Sequence, residues 1–324
     1  MAKNTDGLRG DAELHIHYEK DKTNKIAYLS LDRPDKRNAV DVGMRLLYAD
    51  YILKANADDE VKVLVVRGAG EDFGSGGDTR EENELFSDAK GVDSLLPRLD
   101  IDDESIRYPP AGSFRHLYTM MDSFTKARSG NRPLQEFKKV SIVEAKGYCY
   151  GWHFFQAADA DLVVASDDAL FGHPAFRYAG WAPHLWTWAE LLGVRRFSEM
   201  LFTGRPFTAQ EMSECGFVNS VVIPAQLEAE VEKYALACAR SRPTDTVVAQ
   251  KAFLELYKQF RGEYMGSQLT ALVEGILPSI RPDITTDVSL EEAVLRAGIS
   301  NAVKGIDDAY PPDWRFSRKG RRPA

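Results

Sequence analysis

Apolar and polar positions alternate over residues 13–19 and again over 26–32, on either side of the polar stretch 20–25. A period of two is that of a half-buried strand, so the pattern predicts a hairpin. Over 41–57 the period changes. Met44, Leu46, Leu47, Tyr51, Ile52 and Leu53 recur at near-helical spacing behind Asp41, whose carboxylate is suited to cap a helix N-terminus. Val61 to Val66 then form an unbroken apolar run of the kind a buried strand shows. The same succession returns at 140–145 (strand), 152–158 (helix) and 161–165 (strand), which predicts an α/β fold class with parallel strands joined by right-handed crossovers.

The pattern also marks the limits of this core. Residues 1–12 are polar and read as a flexible N-terminus, and 13–224 as the core. At about 81–112 periodicity fades into acidic, proline-containing sequence, which reads as an inserted, partly mobile loop. Phe114, Leu117, Met120, Met121 and Phe124 then predict an amphipathic helix, and 225–303 reads as a helical C-terminal region. The basic, proline-flanked stretch 304–324 reads as a tail or a subunit-contact arm.

With 324 residues, 44% of them hydrophobic, the chain can bury a sizeable core, which excludes disordered and fibrous classes. A net charge of −8 gives no general attraction to nucleic acid or to an anionic membrane, so a polyanionic ligand has to be held locally. Cys149, Cys215 and Cys238 are odd in number and too far apart for a zinc or redox motif. No apolar run suggests a signal peptide or a membrane span. A soluble protein of the cytoplasm, without a metal, is the expectation.

Three segments carry candidate chemistry. In Phe73-Gly-Ser-Gly-Gly-Asp78, Gly68 and Gly70 lead a strand into a glycine loop that can turn its N–H groups outward, a shape suited to an anion. In Gly147-Tyr-Cys-Tyr-Gly-Trp152 a strand ends where a helix begins, so the Trp152 N–H lies at a positive helix end. The third is Leu31-Asp-Arg-Pro-Asp-Lys-Arg-Asn-Ala39, whose Lys36 and Arg37 can pair with phosphate oxygens.

In this order and at these distances the three segments resemble the crotonase (enoyl-CoA hydratase/isomerase) superfamily, over about residues 13–260. The resemblance implies a crotonase-type ββα superhelical core with a C-terminal helical trimerisation region, and a homotrimer or homohexamer. It implies an acyl-CoA thioester as ligand, with coenzyme A part of the substrate and no tightly bound cofactor. The Gly77 and Trp152 N–H groups would be the donors to the thioester oxygen, each worth ~3–4 kcal/mol to an enolate. Arg33, Lys36, Arg37, Asn38 and Ala39 would hold the nucleotide end, and Lys251 would reach its phosphates. Ser75, Gly76, Thr79, Arg80, His153, Phe155 and Ala175 would line the rest of the site, with the 81–112 insertion as a candidate lid.

The pattern breaks where the hydratases of this family carry two glutamates: those positions read Phe155 and Ala175. Losing both removes the acid and base of simple hydration. Asp78, His173 and His184 remain as catalytic candidates, among the aromatics Phe154, Phe176, Tyr178, Trp181, Trp186 and Trp188. Phe171-Gly-His-Pro-Ala-Phe176 also resembles the family's hydrolases of cyclic β-diketones, in which His173 would deprotonate water. Their partner aspartate is missing, His184 and Leu185 standing nearby instead. The sequence therefore points to C–C hydrolysis, decarboxylation or isomerisation of a bulky cyclic or aromatic acyl-CoA. Two alternatives stay open: a diketone hydrolase not using CoA, and an inactive CoA-ligand-binding protein.

Overall fold

The computed structural model describes residues 5–78, 96–103, 105–110, 113–276 and 299–321. Strands β1 (Ile16–Asp21) and β2 (Ile26–Leu31) pair antiparallel, Ile16 opposite Leu31. Their turn is closed by the Asp21 carboxylate, which accepts the N–H groups of Thr23 and Asn24. Parallel strands β3 (Val63–Gly68), β4 (Val140–Ala145) and β6 (Leu162–Ser166) continue the sheet, and β9 (Ser220–Val222) closes it in the order β1-β2-β3-β4-β6-β9. A smaller sheet joins β5 (Tyr148–Tyr150), β7 (Leu170–Gly172) and β8 (Phe207–Thr208), with β5 and β7 parallel.

Alternation sorts the strand residues between two apolar layers. Leu64, Val66, Val143 and Ala165 face the main core, while Val63, Val65, Ile142 and Val164 face the other side. Two helices of the main layer are α2 (Val42–Ala57), which follows the helix α1 (Thr5–Ala12), and α4 (Trp152–Asp159), which follows α3 (Phe114–Thr125). Asp41 caps α2 as expected, its carboxylate accepting the Met44 N–H at 2.9 Å. Further along lie α5 (Ala175–Tyr178), α6 (Leu185–Leu192), α7 (Val194–Thr203) and α8 (Ala209–Glu214). The C-terminal helices are α9 (Leu227–Arg240), α10 (Thr244–Phe260), α11 (Glu263–Ile276) and α12 (Ile299–Asp308).

Three segments depart from expectation. Residues 5–12 form a helix rather than a flexible lead-in, because Leu8 packs on the glycine gap at Gly43 and Arg9 pairs with Asp50 at 2.6 Å. Helix α9, expected in a separate C-terminal region, covers the second face of the large sheet with Leu227, Val231 and Ala235. Residues 304–321, expected as a tail, fold back on the small sheet: Phe316 packs with Tyr148, Tyr150 and Leu170, and its carbonyl accepts the Tyr150 hydroxyl at 2.9 Å. Apart from residues 96–103 and 105–110, the 81–112 insertion lies outside the described residues.

Candidate active site

The glycine loop runs beside the strand that leads to α4, and its N–H groups can be followed one by one. Phe73 donates to Lys146 O (2.7 Å), Gly74 to Tyr148 O (2.7 Å), Ser75 to Arg37 O (3.0 Å) and Asp78 to Val40 O (2.8 Å). Gly76 donates to Nδ1 of His153 at 3.1 Å. Only the Gly77 N–H, of the six, has no acceptor among the described residues. Across from it, Tyr150 donates to Gly74 O and Gly151 to Gly172 O, while Trp152, first residue of α4, has no acceptor for its N–H among the described residues. The two segments touch: a Cβ built on Gly76 would lie 3.4 Å from Tyr150 O and 3.7 Å from Trp152 N. Gly76 (φ 110°) and Gly151 (φ 56°) both adopt conformations that glycine tolerates and other residues resist. Two unpaired N–H groups, one at a positive helix end, thus lie close together.

The side chains around this pair are mostly committed. The Trp152 indole turns into the fold, donating to Gly130 O at 2.8 Å and meeting Tyr48 edge-on. His153 is fully buried, and burial pushes its pKa down to about 3. Because Nδ1 accepts the Gly76 N–H, the neutral ring carries its proton on Nε2. Asp78, a catalytic candidate, is paired with Arg33 at 3.2 Å, and Arg33 also donates to Ala39 O at 3.1 Å.

His184 is sealed from solvent. Phe155 stacks on it at 4.0 Å and Trp188 lies beside it. Its Nε2 is 3.6 Å from the Asp159 carboxylate. Burial, with the Arg132 charge behind it, lowers its pKa to about 4. His173 stacks on the other flank of Phe155 at 5.3 Å and keeps part of its surface exposed. Its Nδ1 accepts the Ala175 N–H at 3.1 Å, so the neutral ring carries its proton on Nε2.

In the nucleotide segment, Lys36 and Arg37 keep access to solvent. Arg37, in the left-handed region at φ 52°, lies over the Tyr148 ring and lines a cavity of about 390 Å³ with Pro34, Gly70, Asp72 and Arg318. Asn38 and Lys251 have partners within the fold. Asn38 is buried, its amide donating to Ala69 O and Asp72 O and accepting the Arg33 N–H, which ties the loop to the glycine segment. Lys251 is buried against Asp161 at 2.7 Å. Thr79 and Arg80 lie outside the described residues.

Sequence reasoning missed the support behind α4. Successive residues of one loop fasten one face of this helix: Gly130 O accepts the Trp152 indole, Asn131 O accepts the Gln156 amide at 2.9 Å, and Arg132 pairs with Asp159. Arg132 also bonds Glu263 at 3.0 Å and Ser267 at 2.7 Å, linking α4 to α11. The available signal was Asp159 itself, the one carboxylate of a helix rich in apolar residues.

The family model described as enoyl-CoA hydratase/isomerase matches residues 120–271. The chain is 29% identical over 234 residues to the mevalonyl-coenzyme A hydratase sidH of Aspergillus fumigatus, covering 71% of this chain and 74% of that protein. It is 28% identical over 204 residues to a hydroxycinnamoyl-CoA hydratase-lyase of Pseudomonas fluorescens, covering 62% and 65%. A solved enoyl-CoA hydratase from Mycobacterium smegmatis superposes with a TM-score of 0.73 at 25% identity, over 91% of this chain and 93% of that one. The family model, the relatives and the structural neighbours together support this chain's membership of the crotonase superfamily. Its α/β core and helical C-terminal region are those of the crotonase fold. No group of three or more His, Cys, Asp or Glu among the described residues could hold a metal, and none of their helices is long and apolar enough to cross a membrane.

Proposed function

We propose that this chain is an enzyme that binds an acyl-CoA thioester and stabilises its enolate between the N–H groups of Gly77 and Trp152. The carrying observation is that the other N–H groups from Phe73 to Asp78 are satisfied, Gly76 by the His153 ring, while those of Gly77 and the neighbouring Trp152 have no acceptor among the described residues. Such donors stabilise charge as it develops on the thioester oxygen, at ~3–4 kcal/mol each. Lys36 and Arg37 hold the nucleotide phosphates at the mouth of the cavity that Arg37 lines.

Phe155 and Ala175 stand where the two hydratase glutamates would be, so the site lacks the acid and base that hydration needs. The reading is therefore C–C cleavage, decarboxylation or isomerisation of a bulky acyl group. Among these, decarboxylation asks least of the side chains. The bond to the departing carboxylate breaks, its electron pair enters the thioester enolate, CO2 leaves, and a water proton then returns to the α-carbon. The relatives named mevalonyl-coenzyme A hydratase and hydroxycinnamoyl-CoA hydratase-lyase support acyl-CoA as substrate class. Assembly as a homotrimer or homohexamer through the C-terminal helices is part of the same proposal.

A second reading, a CoA-ligand-binding protein without turnover, is favoured by the sealed His184. Calorimetry with coenzyme A and with aromatic and cyclic acyl-CoA thioesters, on wild type and Lys36→Ala/Arg37→Ala, tests the ligand. Micromolar binding lost in the double variant is the expected result, and absence of binding would overturn the thioester reading. Carbon dioxide release or product formation from the bound thioesters separates turnover from binding alone.

A further inference from the structure

His153 is a buried titratable group for which the proposed chemistry has no use, yet its ring sits between the two donor-bearing segments. Its Nδ1 accepts the N–H of Gly76, the residue before one donor, while His153 itself follows Trp152, the other donor. A Cβ on Gly74 would come within 2.0 Å of its Nε2, so the ring occupies the space that glycine at 74 leaves. Phe73 and the Trp152 indole hold it edge-on at 5.0 and 5.1 Å.

We propose that His153 is a positioning residue, a strut that sets the separation and direction of the Gly77 and Trp152 N–H groups. The inference rests on reading those two groups as the enolate-stabilising pair. One hydrogen bond ties the Ser75–Gly76 peptide, one residue before the Gly77 donor, to the first turn of α4, so a shift of either donor is resisted by the other segment. Placement of donors within a few tenths of an ångström is what preorganised stabilisation demands. Neutrality suits the role: a ring that accepts at Nδ1 holds the loop without adding a positive charge beside the pair. The chain fixes this turn with the bulky side chains of Trp152 and of His153 that follows it, after the glycine at 151.

The test compares His153→Asn, whose amide oxygen falls near the position of Nδ1, with His153→Gln, whose amide lies one methylene further out. Each is titrated with [1-13C]phenylacetyl-CoA, reading the carbonyl resonance, and with coenzyme A, which lacks the carbonyl. The wild type is expected to move the carbonyl resonance downfield on binding. The Asn variant should keep most of that displacement and the Gln variant lose most of it, with coenzyme A affinity unchanged in both. Equal displacements in the two variants would overturn this inference while leaving the donor pair standing. Should the Gln variant not fold, a folded Asn variant that binds the thioester with no displacement would overturn it alone. Absence of binding or displacement in the wild type would overturn the donor-pair reading, and this inference with it.

Discussion

Arg132 brings a full charge into the protein interior, where its side chain is only 2% exposed. The carboxylates of Asp159 and Glu263 and the hydroxyls of Thr187 and Ser267 meet it there. Arg132→Met would strand two buried carboxylates near each other, and the expected loss is about 3–5 kcal/mol in urea unfolding. A loss below about 1 kcal/mol would place the cluster with ordinary surface pairs. The same residues set the response to acid. Burial would raise the pKa of Asp159, but the Arg132 charge overrides it and holds the carboxyl below its usual range. Its contribution is therefore complete at neutral pH and is lost only as pH falls through the folded pKa. The histidines act earlier. Burial lowers His184 to about 4 and His153 to about 3, so below about pH 6.5 the unfolded chain takes up protons that the native chain refuses. Each should cost about 1.4 kcal/mol per pH unit across that interval. Urea midpoints falling steadily from pH 7 to pH 5, with a shallower slope in His184→Gln, are the expected outcome; a flat profile in the wild type would contradict it.

Helix α4 shows how far local pattern reaches and where it stops. The hairpin, the Asp41 cap of α2 and the strands at 63–68 and 140–145 were legible because each rests on neighbours in sequence: a period of two, a period of 3.6, a side chain three residues from the N–H it caps. The span of α4 was legible for the same reason. Its fastening was not. Gly130, Asn131 and Arg132 lie 22 to 27 residues before their partners, in a stretch with no periodicity, and only folding reveals that Trp152, Gln156 and Asp159 share one face. In the candidate site the glycine loop and the helix start could be read from residue types. Asn38 and Lys251 could not be told from ligand-binding groups, because nothing local announces Ala69, Asp72 or Asp161 as their partners. The indole contact gives the element its own prediction. Trp152→Phe keeps most of the packing but leaves Gly130 O buried without a donor, so a stability loss of about 1–3 kcal/mol is expected. Because the indole anchors the first residue of α4, the same variant should polarise a bound thioester carbonyl less than wild type, read by the same labelled carbonyl.

Over the whole molecule, the C-terminal segment looks different in sequence and in structure because its contacts are long-range and aromatic. Arg177 on α5 is clasped between the rings of Tyr310 (3.6 Å) and Phe316 (4.4 Å) and pairs with Asp307, while Arg318 reaches Asp168 at 2.9 Å. A basic stretch at a chain end gives no hint of this. Removing 310–324 is expected to raise proteolytic cleavage around Arg177 in limited digestion, and an unchanged digest would show that the clasp is dispensable. The opposite case is α10, within the region expected to be helical, whose apolar side chains face outward. Phe253, Leu256, Tyr257 and Phe260 repeat at three- and four-residue spacing, all more than half exposed, and Phe260 reaches 90%. Tyr264, Met265 and Leu269 continue the exposed set onto α11. Such a surface carries about 25 cal/mol per Å² of apolar area when removed from water, a force toward association that a solvated helix would not retain. Family expectation and the exposed stripe converge on self-association. Sedimentation at micromolar concentration should give a mass three or six times the 36.3 kDa protomer. Phe253→Asp/Phe260→Asp, which puts a charge on each end of the stripe without touching the core, should shift it to the protomer. A wild type that sediments as a monomer would leave those seven side chains in water and reassign the stripe to a different partner.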